Sequence, residues 1–86
     1  MKRVRFSLTA PEAKTVLLVG DFTDWDVNAR RMRRTKARAD TFATTVALEP
    51  GTYEYKFIVD GQWLHDPEAE SVPNCFGTQN SIITVE

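Results

Sequence analysis

Cysteine is almost absent from this chain. Cys75 stands alone, so no internal disulfide can form, and small secreted domains ordinarily carry several. Histidine is equally scarce, and His65 has no second histidine or cysteine pair with which to hold zinc. No apolar run approaches the ~20 residues that a membrane-crossing helix needs. The opening Met1-Lys2-Arg3-Val4-Arg5 lacks the apolar stretch of a signal peptide. Together these absences make the cytoplasm the expected location. Neither sign of charge dominates: eleven basic and twelve acidic residues leave −1 at pH 7. That balance argues against nucleic acid or membrane as the main partner.

Catalytic patterns are missing too. The chain shows no Ser/His/Asp or Cys/His arrangement and no phosphate-binding loop. Glycoside hydrolysis needs two carboxylates ~5–9.5 Å apart around a bound sugar linkage. Among twelve acids some pair must fall close, so closeness alone would prove nothing. The acids Asp66, Glu68 and Glu70 follow no calcium-loop spacing and are expected in a solvated turn after Asp66-Pro67. No enzyme activity, no metal and no cofactor are expected.

What remains fits one domain spanning residues 1–86. A chain of this length buries only ~60–65% of its unfolded surface, leaving a thin core and little room for a deep cleft. The dominant period is two. Val4, Phe6 and Leu8 alternate with polar neighbours and predict a first strand. Thr15 to Val19 is an apolar run rich in β-branched residues, which fits a buried strand ending at Gly20. Phe42, Thr44, Val46 and Leu48 alternate again before a Pro50-Gly51 turn. The clearest strand sends Tyr53, Tyr55, Phe57 and Val59 one way and Glu54, Lys56 and Ile58 the other. Asp60-Gly61 marks a hairpin returning through Gln62-Trp63-Leu64, and Ser81 to Val85 makes a last strand. Ala29 to Ala39 has no apolar stripe and is expected to hold a short strand around Met32 and a basic loop. Short strands divided by turns predict an all-β, antiparallel sandwich. The four glycines, Gly20, Gly51, Gly61 and Gly77, are assigned to turn geometry.

Four segments gather chemistry: Val19-Gly20-Asp21-Phe22-Thr23-Asp24-Trp25-Asp26; Pro50-Gly51-Thr52-Tyr53-Glu54-Tyr55-Lys56-Phe57; Val59-Asp60-Gly61-Gln62-Trp63-Leu64-His65-Asp66-Pro67; and Asn74-Cys75-Phe76-Gly77-Thr78-Gln79-Asn80-Ser81. Trp25 lies between aspartates in a polar turn, where burial is awkward. Trp63 follows a tight turn, and Lys56 leaves the core side of its strand. An indole offers a flat apolar face with one polar tip. A pyranose offers an apolar C–H face rimmed by hydroxyls that Lys, Asn and Thr can bond. Each neutral hydrogen bond contributes ~0.5–1.5 kcal/mol net. A shallow site of this kind binds at roughly −4 to −8 kcal/mol, millimolar to micromolar. The plain alternatives are a core role for either tryptophan, a solubilising role for Lys56 and turn roles for Thr78 and Asn80.

These segments resemble the glycogen-binding domain of the AMP-activated protein kinase β subunit and, more broadly, the family-48 carbohydrate-binding modules that precede the catalytic domains of isoamylases and branching enzymes. The Tyr-Lys-Phe-x-Val-Asp-Gly-x-Trp-x-x-Asp-Pro spacing is the most specific element, supported by Gly-Asp-Phe-x-x-Trp and Phe-Gly-Thr-x-Asn. The resemblance runs from about Arg3 to Val85. It implies an immunoglobulin-like sandwich of the early-set type that binds α-1,4-linked glucose chains (glycogen, starch or maltodextrin) without cleaving them. It implies stacking tryptophans at Trp25 and Trp63, a sugar-contacting lysine at Lys56, and hydroxyl contacts from Thr78 and Asn80. It also implies an apolar ring contact at position 76, where leucine of the kinase subunit is replaced by Phe76.

One feature lies outside that pattern. Arg30, Arg31, Arg33, Arg34, Lys36 and Arg38 supply six of the eleven basic residues, with no acid between positions 30 and 38. A solvated loop is the plain reading. The alternative is a protein-interaction module that uses this segment on the same sandwich. No aromatic interleaves the run, so single-stranded nucleic acid finds no stacking platform there.

Overall fold

The structure, a computed structural model, describes residues 1–26, 30–74 and 77–86. Among the described residues eight strands follow in order: β1 (Lys2–Thr9), β2 (Val16–Gly20), β3 (Arg33–Arg34), β4 (Thr41–Leu48), β5 (Gly51–Val59), β6 (Gln62–Leu64), β7 (Ser71–Pro73) and β8 (Gln79–Val85). A 3₁₀ turn, Asp21–Thr23, follows β2. All strand pairings among the described residues are antiparallel. One sheet runs β1-β4-β3. The other runs β2-β5-β8-β7, and β6 adds to the last three residues of β5. The all-β antiparallel sandwich expected from the sequence is the fold observed.

Alternation decides which side chains meet between the sheets. Phe6 of β1, Phe42, Val46 and Leu48 of β4, Val16 and Leu18 of β2, and Tyr55 and Phe57 of β5 form one buried cluster. Each large apolar side chain fully removed from water contributes about 1.5–3 kcal/mol. The aromatic rings meet at angles: Phe6 and Tyr55 at 4.9 Å and 75°, Tyr55 and Phe57 at 5.8 Å and 73°. Edge-to-face contact of this kind suits the ring quadrupoles. Met32, 2% exposed, plugs the gap where the chain passes from one sheet to the other. Arg31 there bridges to Leu17 of β2, while Arg33 and Arg34 pair with Ala43 and Phe42 of β4.

The Asp60-Gly61 hairpin forms as the dipeptide predicts. Val59 pairs with Gln62, leaving a two-residue loop. Its φ values, 48° and 87°, are both left-handed and match the twist of the strands. The Asp60 carboxylate also accepts the backbone N–H groups of Thr15 and Lys14, at 2.8 and 2.9 Å. Those donors, Thr15 first, hold its pKa below the ordinary value of 3.8.

Three expectations need correction. Gly20 is not a turn glycine: its φ is 179°, extended backbone. A Cβ there would come within 2.6 Å of the Glu54 carbonyl oxygen and 2.8 Å of the Tyr55 Cβ, so the close approach of β2 to β5 excludes a side chain. Arg34 is not part of a solvated loop. Its guanidinium donates to the carbonyls of Ala39 and Ala13, both at 2.6 Å, and lies 4.7 Å over the Phe42 ring. Asp66 is not a solvated turn residue. It accepts the Tyr55 hydroxyl at 2.9 Å, and its backbone N–H donates to the Ser81 hydroxyl. Burial of Tyr55, then that bond and the carboxylate's charge, push the phenol pKa far above its ordinary range.

Candidate functional site: a tryptophan-lined cavity on the five-stranded sheet

The outer face of the five-stranded sheet carries a cavity of about 870 Å³. Its floor follows from β5 periodicity. Glu54 and Lys56 point away from the core that Tyr55 and Phe57 enter, and both line the cavity. Trp63 pairs across the hairpin with Ile58, two residues beyond Lys56, so register sets its indole on the same side. That side chain is 47% exposed. Asn80 belongs to β8, next to the strand position that pairs with Tyr55, and joins the lining with Thr78.

Trp25 arrives from the opposite rim. The 3₁₀ turn begins where Gly20 stops β2, and Thr23 fastens it. The Thr23 hydroxyl accepts the Gly20 N–H and donates to the Gly20 carbonyl, both at 3.1 Å. The Trp25 N–H returns to the same carbonyl at 3.0 Å. Asp24 and Trp25 both take left-handed backbone, φ 52° and 57°. Asp21 fixes the ring: one carboxylate oxygen accepts the indole N–H at 3.0 Å, and the other accepts the Glu54 N–H at 2.8 Å. One side chain therefore ties the Trp25 indole to the strand that carries Lys56. Trp25 is half-buried, so its ring is less open than that of Trp63.

A chain of hydrogen bonds joins the polar lining. The Lys56 ammonium donates to the Thr78 hydroxyl at 3.3 Å, and Lys56 is only 7% exposed. The Asn74 amide donates to the Thr78 hydroxyl at 2.8 Å and to the Asn80 carbonyl oxygen at 2.9 Å. Asn80 in turn donates to the Glu54 carboxylate at 3.1 Å. Asn74 also accepts the Thr78 N–H, holding the loop that presents both residues. The Thr78 oxygen thus accepts two bonds, and its own proton is directed to no acceptor among the described residues. A network satisfied in this way holds its members in place before any ligand arrives.

Of the six residues predicted for the site, Trp25, Lys56, Trp63, Thr78 and Asn80 all line this one cavity. Phe76, and Cys75 beside it, lie outside the described residues. Asp21, Glu54 and Asn74 also line it and were not anticipated as site residues. The signal for Glu54 was present, because it stands two positions before Lys56 on the same strand face. Asp21 acts through a long-range bond to the Glu54 N–H, which no local pattern discloses, whereas Asn74 acts through bonds to Thr78 and Asn80 within its own segment.

The fold and sequence have relatives. The structure superposes on the maltogenic amylase from S. marinus with a TM-score of 0.76, covering 98% of this chain and 13% of that one; at 23% identity the likeness is one of fold. The chain is 45% identical over 73 residues to the chloroplastic protein FLOURY ENDOSPERM 6 of Oryza sativa subsp. japonica, and 38% identical over 73 residues to the β-1 subunit of 5'-AMP-activated protein kinase from Sus scrofa. Each match takes in 85% of this chain, which spans 13% of the rice protein and 56% of the pig subunit. A family model described as the glycogen recognition site of AMP-activated protein kinase matches residues 3–86. With nearly its whole length matched, the chain belongs to this family of glycogen-recognition modules, which are non-catalytic carbohydrate-binding domains.

Proposed function

We propose that the cavity binds α-1,4-linked glucan, with sugar rings stacked on Trp25 and Trp63 and hydroxyls held by Lys56, Thr78 and Asn80. The observation that carries this reading is the convergence of both indoles and all three polar groups on one cavity of about 870 Å³. The indoles cover the apolar faces of the sugars. Lys56 and the Thr78 hydroxyl supply donors, and the carbonyl side of Asn80 and the Glu54 carboxylate supply acceptors. A neutral polyol suits a lining in which the carboxylates of Asp21 and Glu54 outnumber the single ammonium of Lys56. Nothing in this reading breaks a bond; the module holds polymer. Phe76 keeps its implied place as a further ring contact.

Retardation in native gels containing glycogen tests the reading. Wild type should be slowed, Trp63→Ala should migrate as though glycogen were absent, and Trp25→Ala and Phe76→Ala should be intermediate or free. Equal migration of wild type, Trp25→Ala and Trp63→Ala would exclude it.

A further inference from the structure

The three-stranded sheet has an outer face of its own, on the opposite side of the sandwich from the cavity. β1 turns Arg3, Arg5, Ser7 and Thr9 outward, because Phe6 faces the core and Val4 and Leu8 pack against it. Their partners on β4 are Ala47, Thr45, Ala43 and Thr41. On the far side of β4, β3 sets Arg33 opposite Ala43. Three arginines therefore surround a floor of alanine, serine and threonine. Strands β1, β3 and β4 contain no acidic residue. The acids flanking β4 in sequence are Asp40 and Glu49, and Asp40 lies 3.8 Å from Arg38.

These arginines are not engaged elsewhere. Among the described residues, the side chains of Arg3, Arg5 and Arg33 make no hydrogen bond or ion pair, whereas those of Arg34 and Arg38 are both committed. All three are exposed. Alternate residues of a strand repeat at ~6.6–6.8 Å, so Arg3 and Arg5 stand one such repeat apart. An extended peptide with carboxylates at alternate positions carries the same repeat. Guanidinium groups match carboxylates with paired, parallel hydrogen bonds that an ammonium cannot make. The small floor lets a backbone lie close.

We propose that this face docks an acidic, extended polypeptide segment, and that it does so while the cavity on the opposite sheet remains open to glucan. The face carries no aromatic side chain, so bases find nothing on which to stack. The chain's overall charge of −1 disfavours a long polyanion that would extend past the patch. A second copy would present its own arginines and be repelled.

The test uses a fluorescein-labelled peptide of about ten residues alternating Glu and Thr, read by anisotropy at low salt and at about 0.15 M. Wild type should bind it. Arg3→Gln/Arg5→Gln should weaken binding tenfold or more, and adding Arg33→Gln should weaken it again. Glycogen retardation should be unchanged in these variants, and glycogen-bound protein should still take the peptide. Absence of binding by wild type would overturn the proposal, as would undiminished binding by the triple variant. So would equal affinity, with equal loss, for an oligonucleotide of the same charge. Self-association of the triple variant with peptide binding intact would show that the arginines only guard sheet edges. Hydrogen exchange on the unmodified chain needs no variant: peptide should protect β1 and β4, and protection confined to β5, β6 and β8 would count against the proposal.

Discussion

On the outer face of the five-stranded sheet, Asp21, Glu54, Lys56, Asn74, Thr78 and Asn80 are bonded to one another or to the frame of Trp25. On the outer face of the three-stranded sheet, Arg3, Arg5 and Arg33 make no such bonds among the described residues. Both faces are products of period-two alternation over one shared core. The difference lies in what their polar groups do. One face spends its hydrogen-bonding capacity on its own lining and on fixing the Trp25 ring. The other leaves charge available and rigidly spaced. A satisfied network shapes a site for a neutral ligand, while free, regularly spaced cations await a charged one.

Four changes would break or sharpen this contrast. Gly20→Ala should have the largest effect. Its Cβ would collide with the Glu54 carbonyl oxygen and the Tyr55 Cβ, at a cost of about 3 kcal/mol, seen as a lower denaturant midpoint. It should disturb the Glu54 backbone beneath the cavity and leave the arginine face alone. Asp21→Ala comes next. It frees both the indole N–H and the Glu54 N–H, with a loss of about 1 kcal/mol of stability. Glycogen affinity should fall several-fold, and Asp21→Asn, which keeps one acceptor, should fall less. If Asp21→Ala bound glycogen like wild type, the idea that the network positions the ring would be lost.

Asp60 carries a pH signature. Its folded pKa is lowered by the Thr15 and Lys14 amides. The stability it contributes is therefore complete above its ordinary value of 3.8 and disappears as pH falls through the lower, folded value. Asp60→Asn should consequently melt earlier than wild type at neutral pH, and the gap should close in acid. A constant gap across that range would mean that the carboxylate clamp does not hold the hairpin bearing Trp63. The smallest effect is expected on the arginine face, where Arg3→Gln/Arg5→Gln should change stability by no more than about 0.5 kcal/mol. A larger fall would show that these side chains support the sheet and are not free for a partner.

Most of the fold was legible because its signals are local. Alternation marked the long strands, and Asp60-Gly61 fixed the hairpin that places Trp63. β7 escaped because three residues, Ser71, Val72 and Pro73, are too few for a period, even though its partner β8 is the next strand in the chain. The tryptophans, Lys56, Thr78 and Asn80 were legible as a group through their spacing in family motifs. Asp21, Asn74, Asp66 and Arg34 were not. Asp21, Asp66 and Arg34 owe their roles to bonds across many positions, as from Arg34 to Ala13 or from Tyr55 to Asp66, while Asn74 bonds within its own loop and carries no pattern that marks it. Composition shows such residues only as polar or charged. Gly20 illustrates the converse: its type was noticed, but its reason is the nearness of another strand.

Trp25 holds a left-handed backbone, φ 57°, that costs a bulky residue roughly 1–2 kcal/mol and costs glycine almost nothing. Exchange for glycine would relieve the main chain at the moment it removed the ring. A lineage that no longer used the cavity would thus gain by drifting to glycine or asparagine here. Strained backbone of this kind is found where a side chain is put to use, and the indole that bears it here is one that lines the cavity.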